Sequence, residues 1–314
     1  MTLTPFCLVF PGQGSQALGM GQSYFTHPVY TEVIQAAEAI LQQPLAQLMA
    51  EGPLENLTRT EMAQPALLSV GYGIYQVLQS QTDRQPEAVA GHSLGEYTAL
   101  ACAGALDFES ALKLVQLRGQ LMQKACEQSP GAMGAVLKAD FAGITTLLAE
   151  PQWQGKVGVG NYNSPSQWVL SGEATALEAM GTEIRTRKLG RLIPLKVSGA
   201  FHSPLMAEAQ AELNAAIDTL PLQDARFPVV TNLDGEATVV AEDFRRKLRA
   251  HLLSPVRWEA CTRTLGHFAP RFFEIGPGQV LSGLIRQTLP DAEVISLADA
   301  STLSISLNGV SDHA

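Results

Sequence analysis

The chain has 314 residues, of which 46% are hydrophobic, and a formal net charge of −9. This length and composition are sufficient for a large buried core, in one large domain or two of moderate size. The negative charge argues against a nucleic-acid partner, since phosphate binding needs a basic field. No apolar run is long enough to cross a bilayer, and the N-terminus lacks the pattern of a signal peptide, so we expect a cytoplasmic protein without membrane contact.

The cysteines are few and far apart, and no C-x-x-C pair occurs. This spacing indicates neither a zinc site nor a disulfide framework, so we expect four small buried side chains and no metal. They are Cys7, Cys102, Cys126 and Cys261.

The first predicted element is a buried strand at residues 6–10, which runs into a glycine-containing loop. Gly12, Gly14 and Ala17 match the G-x-G-x-x-[GA] pattern of dinucleotide-binding folds. That pattern requires a second strand ending in an acidic residue about 20 positions later, whereas residues 29–41 have helical spacing. The alternative is a loop that brings backbone N–H groups close to a reacting carbonyl.

Two polar residues lie within predicted helices and have open interpretations. Residues 44–79 keep helical spacing, with Pro53 and Pro65 expected in first turns, and Gln64 is either a solvated cap or a site residue. Arg118 falls in an apolar-rich helix at residues 108–126. An arginine there is either on a solvated face or buried, and if it is buried it needs an anion.

The pentapeptide Gly91-His92-Ser93-Leu94-Gly95 follows a short strand and precedes a small-residue helix. This G-x-S-x-G context is typical of a nucleophile elbow, whose sharp turn needs small residues on both sides of the serine. Ser93 is therefore a candidate nucleophile, and the backbone N–H of Leu94 could bond an oxyanion. The alternative is a serine that caps an ordinary helix. His92 is a poor candidate for the base because its side chain projects to the other side of the turn.

Residues 129–198 have the order strand, helix, strand, strand, helix, strand. This βαββαβ order predicts a small ferredoxin-like domain inserted into a large α/β-hydrolase-like domain of residues 1–128 and 199–314, with a parallel sheet and a nucleophile elbow. The predicted strands are residues 134–138, 156–163, 168–171 and 191–197, and the helices are residues 144–149 and 174–185.

The large domain resumes with a loop at residues 198–204 that contains His202 and precedes a helix. A histidine in such a loop is placed like the base of a hydrolase-type site. No acidic residue between Ser93 and His202 follows a predicted strand of the large domain, so we expect a Ser–His dyad. The other predicted helices are residues 205–220, 241–252 and 257–268, and a last one that follows Gly276-Pro277-Gly278 and ends at Leu289. The other predicted strands are residues 227–233, 271–275 and 294–297, followed by a polar tail that is expected to fray. His27, His267 and His313 are expected at the surface.

Taken together, motifs spread over nearly the whole chain resemble the malonyl-CoA:acyl-carrier-protein transacylases, the acyltransferases of bacterial fatty acid synthesis. One such motif alone would be weak, but this many in order are specific. They are Phe10-Pro11-Gly12-Gln13-Gly14-Ser15-Gln16, Gln64-Pro65-Ala66, Gly91-His92-Ser93-Leu94-Gly95-Glu96, Arg118-Gly119, Asn161-Tyr162-Asn163-Ser164-Pro165, Ala200-Phe201-His202-Ser203, Ser254-Pro255-Val256 and Glu274-Ile275-Gly276-Pro277-Gly278.

The resemblance implies a role for each matching residue. Ser93 would carry the acyl group and His202 would be the base, with the N–H groups of Gln13 and Leu94 as the oxyanion hole. Arg118 would bind the malonyl carboxylate through two parallel hydrogen bonds. His251 stands where the family usually has glutamine, a position that orients the catalytic histidine through a backbone carbonyl. The implied substrate-binding residues are Arg118, Gln64, Asn161, Phe201 and His251.

The implied activity is malonyl transfer from malonyl-CoA to the phosphopantetheine thiol of acyl carrier protein, by a monomer without cofactor or metal. An acyl hydrolase that clears carrier proteins is an alternative, against which Arg118 weighs because simple acyl chains carry no carboxylate. A malonyltransferase of a polyketide synthase and a non-catalytic docking partner are further alternatives. Two basic clusters could dock an acidic carrier protein or could be solvated faces. The favoured one is Arg185, Arg187, Lys188, Arg191 and Lys196, and the other is Arg245, Arg246, Lys247 and Arg249.

Overall fold

The chain folds around two β-sheets, in a computed structural model that describes residues 4–303. The polar tail that was expected to fray and His313 lie outside these residues. The strands are β1 (Phe6–Phe10), β2 (Ala88–Gly91), β3 (Gly131–Leu137), β4 (Val157–Ser164), β5 (Gln167–Glu173), β6 (Arg191–Pro194), β7 (Val229–Val230), β8 (Ala237–Thr238), β9 (Arg271–Glu274) and β10 (Glu293–Ser296). The α-helices are α1 (Pro28–Leu41), α2 (Leu45–Glu51), α3 (Leu54–Thr58), α4 (Thr60–Gln81), α5 (Leu94–Cys102), α6 (Phe108–Gln128), α7 (Phe141–Leu148), α8 (Ala174–Thr186), α9 (Ala207–Asp218), α10 (Ala241–Leu248), α11 (Trp258–Phe268) and α12 (Val280–Thr288).

The larger sheet has the order β10-β9-β1-β2-β7-β8. Its strands are parallel except β8, which pairs antiparallel with β7. Phe10 pairs with Gly91, and Ala90 pairs with Val230. The carboxyl ends of β1, β2 and β7 therefore lie side by side, and the predicted α/β class with a parallel sheet is confirmed.

Both faces of this sheet are covered by helices, which is why β1 is buried along its whole length. Phe6, Leu8 and Phe10 point to one face, where the core includes residues of α1, α4, α5 and α6. Cys7 and Val9 point to the other face and pack with residues of α11 and α12. All four cysteines are buried and free, as predicted.

The smaller sheet is antiparallel, with the order β4-β5-β3-β6. Its chain order with α7 and α8 is βαββαβ, as predicted. Val136 and Leu170 pack with Ile144 of α7 and Met180 of α8 in a separate core. Met133, Ala135 and Val169 belong instead to the core of the large sheet, so the inserted segment is packed against the body of the protein.

Hydrogen bonds across the junction fix the smaller sheet relative to the carboxyl ends of the larger one. The backbone N–H of Val256 donates to Gly160 O, and that of Tyr162 donates to Val256 O, both at 2.8 Å. Ser171 Oγ of β5 donates to Phe201 O at 2.6 Å. These contacts hold β4 and β5 against the segments that flank the site.

The expectation that Pro65 lies in a first turn is wrong, because Pro65 is the sixth residue of α4. The helix begins earlier, at Thr60, since the carbonyl of Arg59 accepts the amides of Met62 and Ala63. Pro65 removes one interior hydrogen bond from the helix. Pro53 is also outside a first turn, at the N-cap of α3.

Other boundaries differ from the sequence prediction as well. The helical region 44–79 is divided into α2, α3 and α4, and the strand expected at 227–233 is paired only at Val229–Val230. A 3-10 helix at Gln22–Thr26 and strand β8 were not predicted. In residues 4–303, no helix is long and apolar enough to span a membrane.

Candidate active site

Ser93 lies at the sharp turn between β2 and α5, with φ 51° and ψ −106°. A Cβ on Gly91 would lie 1.8 Å from the Gly95 carbonyl carbon, and one on Gly95 would lie 2.0 Å from Phe10 O. Only glycine is compatible with these approaches. The elbow predicted from the pentapeptide therefore has the local geometry that presents a serine at the end of a strand.

Ser93 and His202 are in direct contact, with Ser93 Oγ 2.8 Å from His202 Nε2. The other ring nitrogen, Nδ1, lies 3.1 Å from His251 O and 3.0 Å from Ser254 O. Because both neighbours of Nδ1 are carbonyl acceptors, the ring proton belongs on Nδ1. Nε2 is then the bare nitrogen that can accept the hydroxyl proton. Within residues 4–303, no carboxylate contacts the His202 ring.

The environment of His202 keeps its imidazole neutral. Burial is the main cause, and the positive charge of Arg118 and the neighbouring His92 add to it, which together lower the pKa of His202 to about 3. A neutral imidazole is the form that a general base requires.

Arg118 is almost fully buried, at 1% exposure, so the interpretation as a solvated arginine is wrong. Its Nη1 donates to Gln64 Oε1 at 2.6 Å and its Nη2 donates to Ser93 Oγ at 3.1 Å. The guanidinium carbon lies 5.3 Å from the centre of the Tyr97 ring. Among the described residues, Arg118 Nε has no hydrogen-bond partner. A buried cation thus stands beside Ser93, and no carboxylate within residues 4–303 is bonded to it.

Gln64 is also fully buried, which excludes the alternative of a solvated cap. Its Nε2 lies 3.3 Å from Gln13 Oε1, and Gln13 Nε2 donates to Thr60 Oγ1 at 3.2 Å. A polar chain therefore runs from Arg118 to the loop after β1.

The predicted oxyanion-hole donors are the backbone amides of Gln13, in the loop after β1, and of Leu94, the residue after Ser93. Leu94 is the first residue of α5, where its N–H has no intrahelical acceptor. Gln13 follows Gly12, at which a Cβ would lie 2.4 Å from His92 O, so the loop after β1 is packed directly on the elbow. Within residues 4–303, neither N–H donates a hydrogen bond to the protein. Both are available to a bound oxygen.

A cleft of about 360 Å³ lies between the two sheets beside this site. His92 and Asn163 line it, bonded to each other at 2.9 Å between Nε2 and Oδ1, so the His92 ring is engaged away from Ser93. Asn161 also lines the cleft, and its Oδ1 has no partner among the described residues. Phe201 is buried beside His202. The apolar part of the cleft lining includes Leu195, Val197, Val280, Leu281 and Leu284.

Sequence reasoning missed Asn232 and the part played by Glu96. Asn232 Oδ1 accepts the backbone N–H of Ser93, and its Nδ2 donates to Gly91 O, both at 2.7 Å. Glu96 Oε2 accepts the backbone N–H of Asn232 at 2.7 Å. Asn232 follows β7, the neighbour of β2 in the sheet. The strand predicted at 227–233 contained Asn232, so its position after β7 was not foreseen, and nothing in the sequence paired that strand with β2.

The His251 ring lies beside that of His202. The backbone oxygen of His251 faces His202 Nδ1, while its ring packs edge-on against those of His202 and Tyr97, with ring centres 5.6 Å apart in both pairs. Its side chain is buried and is not among the residues that line the cleft. Within residues 4–303, no group of three or more His, Cys, Asp or Glu side chains could hold a metal ion.

Residues 7–303 match the acyl transferase domain family, which defines the protein as an acyl transferase by class. It is similar over 302 residues to the malonyl CoA-acyl carrier protein transacylase of Haemophilus influenzae, with 36% identity covering 95% of this chain and 97% of the relative. At this level of similarity the chain belongs to the malonyl CoA-acyl carrier protein transacylase family.

Solved structures agree with this assignment. The malonyl-CoA:acyl carrier protein transacylase of Xanthomonas oryzae has a TM-score of 0.93 and 37% identity, covering 98% of this chain and 99% of that one. A malonyl-transacylase in complex with its type II polyketide synthase acyl-carrier protein has a TM-score of 0.93 and 36% identity, covering 98% and 100%. The fold described above is thus the fold of these enzymes.

Proposed function

We propose that this protein transfers a malonyl group from malonyl-CoA to the phosphopantetheine thiol of acyl carrier protein, through an ester on Ser93. The observation that carries the proposal is the convergence on one hydroxyl: Ser93 Oγ is within hydrogen-bond distance of both His202 Nε2 and Arg118 Nη2. A nucleophile, its base and a cation for the substrate carboxylate are thereby brought together.

In the first half-reaction, Ser93 Oγ attacks the thioester carbonyl carbon of malonyl-CoA while His202 Nε2 takes the hydroxyl proton. The negative oxygen that forms is held by the N–H groups of Gln13 and Leu94. The carbon–sulfur bond then breaks, and His202 returns its proton to the departing thiolate. The products are free CoA thiol and malonyl-Ser93.

In the second half-reaction, the thiol of the carrier protein's phosphopantetheine arm attacks the ester carbonyl. His202 removes the thiol proton and gives it to Ser93 Oγ as the ester bond breaks, which restores the free enzyme. Both half-reactions use the same groups, so the two substrates bind in turn. No cofactor takes part in this sequence.

Selectivity for malonyl follows from Arg118. A guanidinium with two N–H groups on one edge grips a carboxylate through two parallel hydrogen bonds. Burial raises the cost of leaving this cation without an anion, which favours acyl groups that carry a carboxylate. Gln64 orients the guanidinium through its bond to Nη1. Asn161 lines the cleft, and its Oδ1, unpartnered within residues 4–303, suits an amide N–H of the pantetheine arm. Phe201, buried next to His202 in the chain, is another residue that the family resemblance assigns to substrate binding.

Several finer expectations belong to the same proposal. The large part, residues 1–128 and 199–314, is interpreted as an α/β-hydrolase-like domain, and residues 129–198 as a ferredoxin-like domain. The βαββαβ order and the sheet order β4-β5-β3-β6 support the second interpretation. A monomeric state and a cytoplasmic location stay predictions.

Carrier protein is proposed to dock beside β6, at the favoured basic cluster. β6 is an edge strand, and the chain after it lines the cleft at Leu195 and Lys196. Lys188 and Arg191 are exposed and form no ion pair within residues 4–303. Arg187 is less available, because it pairs with Glu150 and Glu183.

The other cluster is engaged within the protein. Lys247 is buried against Asp234, Arg246 pairs with Asp243, and Arg249 pairs with Asp218. Arg245 donates to two backbone carbonyls. These bonds favour the β6 cluster as the docking surface.

The test is intact-mass measurement after mixing with malonyl-CoA, followed by addition of holo carrier protein. The parent should gain one malonyl group and lose it to the carrier, Ser93→Ala should gain none, and Ser69→Ala, a buried serine on α4, should behave as the parent. Malonylation of Ser93→Ala would overturn the proposal. Release of the group to water in preference to the carrier would indicate the hydrolase alternative.

A malonyltransferase that serves a polyketide synthase is a second candidate, because a relative with 36% identity was solved with a carrier protein of that kind. Comparison of transfer rates to a fatty-acid carrier and a polyketide carrier separates the two roles.

A further inference from the structure

Five residues around the elbow form a closed loop of contacts. The proposed chemistry uses only the contact between Ser93 and His202. Ser93 Oγ meets His202 Nε2 at 2.8 Å, and His202 Nδ1 meets His251 O at 3.1 Å. The loop then returns to the elbow by a second route. His251 Nε2 lies 3.7 Å from Glu96 Oε2, which accepts the N–H of Asn232, whose Oδ1 accepts the N–H of Ser93.

The Asn232 amide holds the backbone of the elbow on both sides of its strained residue. Ser93 has φ 51°, a conformation that costs free energy unless surrounding contacts enforce it. Asn232 accepts from the Ser93 N–H and donates to Gly91 O, so one side chain spans the turn. Loss of this amide would let the Ser93 backbone relax, and Oγ would move away from His202.

Glu96 fixes Asn232 in turn. Its carboxyl group is buried, at 1% exposure, and accepts the Asn232 N–H at 2.7 Å. Burial raises the pKa of Glu96 to about 7, which reflects the cost of a charge in this place.

The His251 ring closes the loop. Neither ring nitrogen has a hydrogen-bond partner among residues 4–303, although the ring is buried. A neutral imidazole always carries one N–H, and Glu96 Oε2 faces Nε2 at 3.7 Å, just beyond hydrogen-bond distance. A small movement of either side chain makes this bond.

We propose that Asn232, Glu96 and the His251 ring are positioning residues that hold the Ser93 backbone and the His202 ring in register as one unit. None of them touches the substrate. This inference rests on the proposed Ser–His function, because the register matters only if these two groups react together. A displacement of about 1 Å between reacting groups costs roughly 100-fold in rate.

The test measures the single-turnover rate of Ser93 malonylation, together with the KM for malonyl-CoA. Asn232→Ala and Glu96→Ala should each lower the rate by about tenfold to 100-fold and change KM by less than about threefold, because the cleft and Arg118 are intact. Glu96→Gln keeps an acceptor for Asn232 and should recover most of the rate. His251→Phe should lower the rate, whereas His251→Gln should retain it.

The control is Ser69→Ala, which removes a buried hydrogen bond to Pro65 O at 2.8 Å without touching the loop. It should keep the parent rate. The malonylation rate of the double variant, Asn232→Ala with Glu96→Ala, should be only about as low as that of the slower single variant, because both substitutions disrupt the same unit.

Three results would overturn the inference. The first is a double variant whose loss of rate is the product of the two single losses, and the second is an effect on KM alone. The third is a parent rate for Glu96→Ala or for His251→Phe. His251→Phe keeps an aromatic ring at this position and is expected to lower the rate, so it tests the inference even if the alanine variants do not fold. Ser93→Ala is assayed beside them: malonylation of that variant would mean that the proposed function itself had failed, independently of the loop.

Discussion

The guanidinium of Arg118 donates a hydrogen bond to the hydroxyl oxygen of Ser93, with 3.1 Å between Nη2 and Oγ. In the proposed reaction, one cation therefore contacts Ser93 Oγ and also binds the carboxylate of the malonyl group that Ser93 attacks. Its second consequence is electrostatic, since the charge of Arg118 also lowers the pKa of His202.

Arg118→Ala is expected to lose malonyl transfer and to gain relative activity with acetyl-CoA. The loss should be about 3–5 kcal/mol in kcat/KM for malonyl, the usual cost of removing one member of a buried charged pair. Arg118→Lys should be intermediate, because lysine keeps the charge but not the planar fork. Equal losses for the two substrates would show that Arg118 has only a structural role.

The malonylation rate should be insensitive to pH between about 5 and 8. His202 acts as a base only when it is neutral, and a lowered pKa keeps it neutral until the pH falls to about 3. The measurement is the single-turnover rate against pH, with circular dichroism to show that the protein stays folded. A fall in rate centred near pH 6.5, the ordinary value for histidine, would contradict the burial argument. Arg118→Gln, assayed with acetyl-CoA, should move the inflection to higher pH.

Gly91→Ala should prevent folding or destabilise the protein by more than about 3 kcal/mol, the upper end of the usual cost of overpacking. The added Cβ would lie 1.8 Å from the Gly95 carbonyl carbon, which cannot move without opening the elbow. Gly158→Ala is the matched control, because a Cβ there meets nothing within 4 Å. The measurement is the urea unfolding midpoint of each variant. Similar midpoints would show that the turn does not require glycine at position 91.

Lys188→Glu together with Arg191→Glu should raise the KM for carrier protein by roughly tenfold at low salt and leave malonylation from CoA nearly unchanged. The parent's KM should rise with ionic strength, since exposed charges are screened beyond about 8 Å at physiological salt. The matched control is Arg246→Glu with Arg249→Glu. A larger rise in the KM for carrier protein in this control variant would indicate that carrier protein docks at α10 instead.

The parts of the site that sequence could predict are local in the chain. Ser93 and Leu94 belong to one pentapeptide whose glycines reveal the turn, and His202 lies in a loop with a readable context. The residue pattern alone could not place Arg118, because its apolar neighbours were compatible with a buried or a solvated face, and only the family resemblance assigned it a role at the site. Asn232 was beyond prediction, since its task depends on β7 lying beside β2, and the two strands are separated by more than 130 residues.

The same distinction applies to the fold. The βαββαβ order along residues 129–198 was predicted from short apolar segments and agrees with the structure. Pro65 was misplaced because its position depends on where α4 begins, which is decided by the carbonyl of Arg59 and not by the proline itself.

Ser93 and His202 both have positive φ angles, of 51° and 56°, in a backbone region that side chains other than glycine seldom adopt. The reacting pair is thus a site of stored strain, which the rest of the protein must offset. Replacing the nucleophile should therefore relieve the fold: Ser93→Gly is expected to melt at a higher temperature than the active protein, because glycine adopts this conformation freely. Under the proposed function, the residue that carries the acyl group is therefore also expected to lower the thermal stability of the fold.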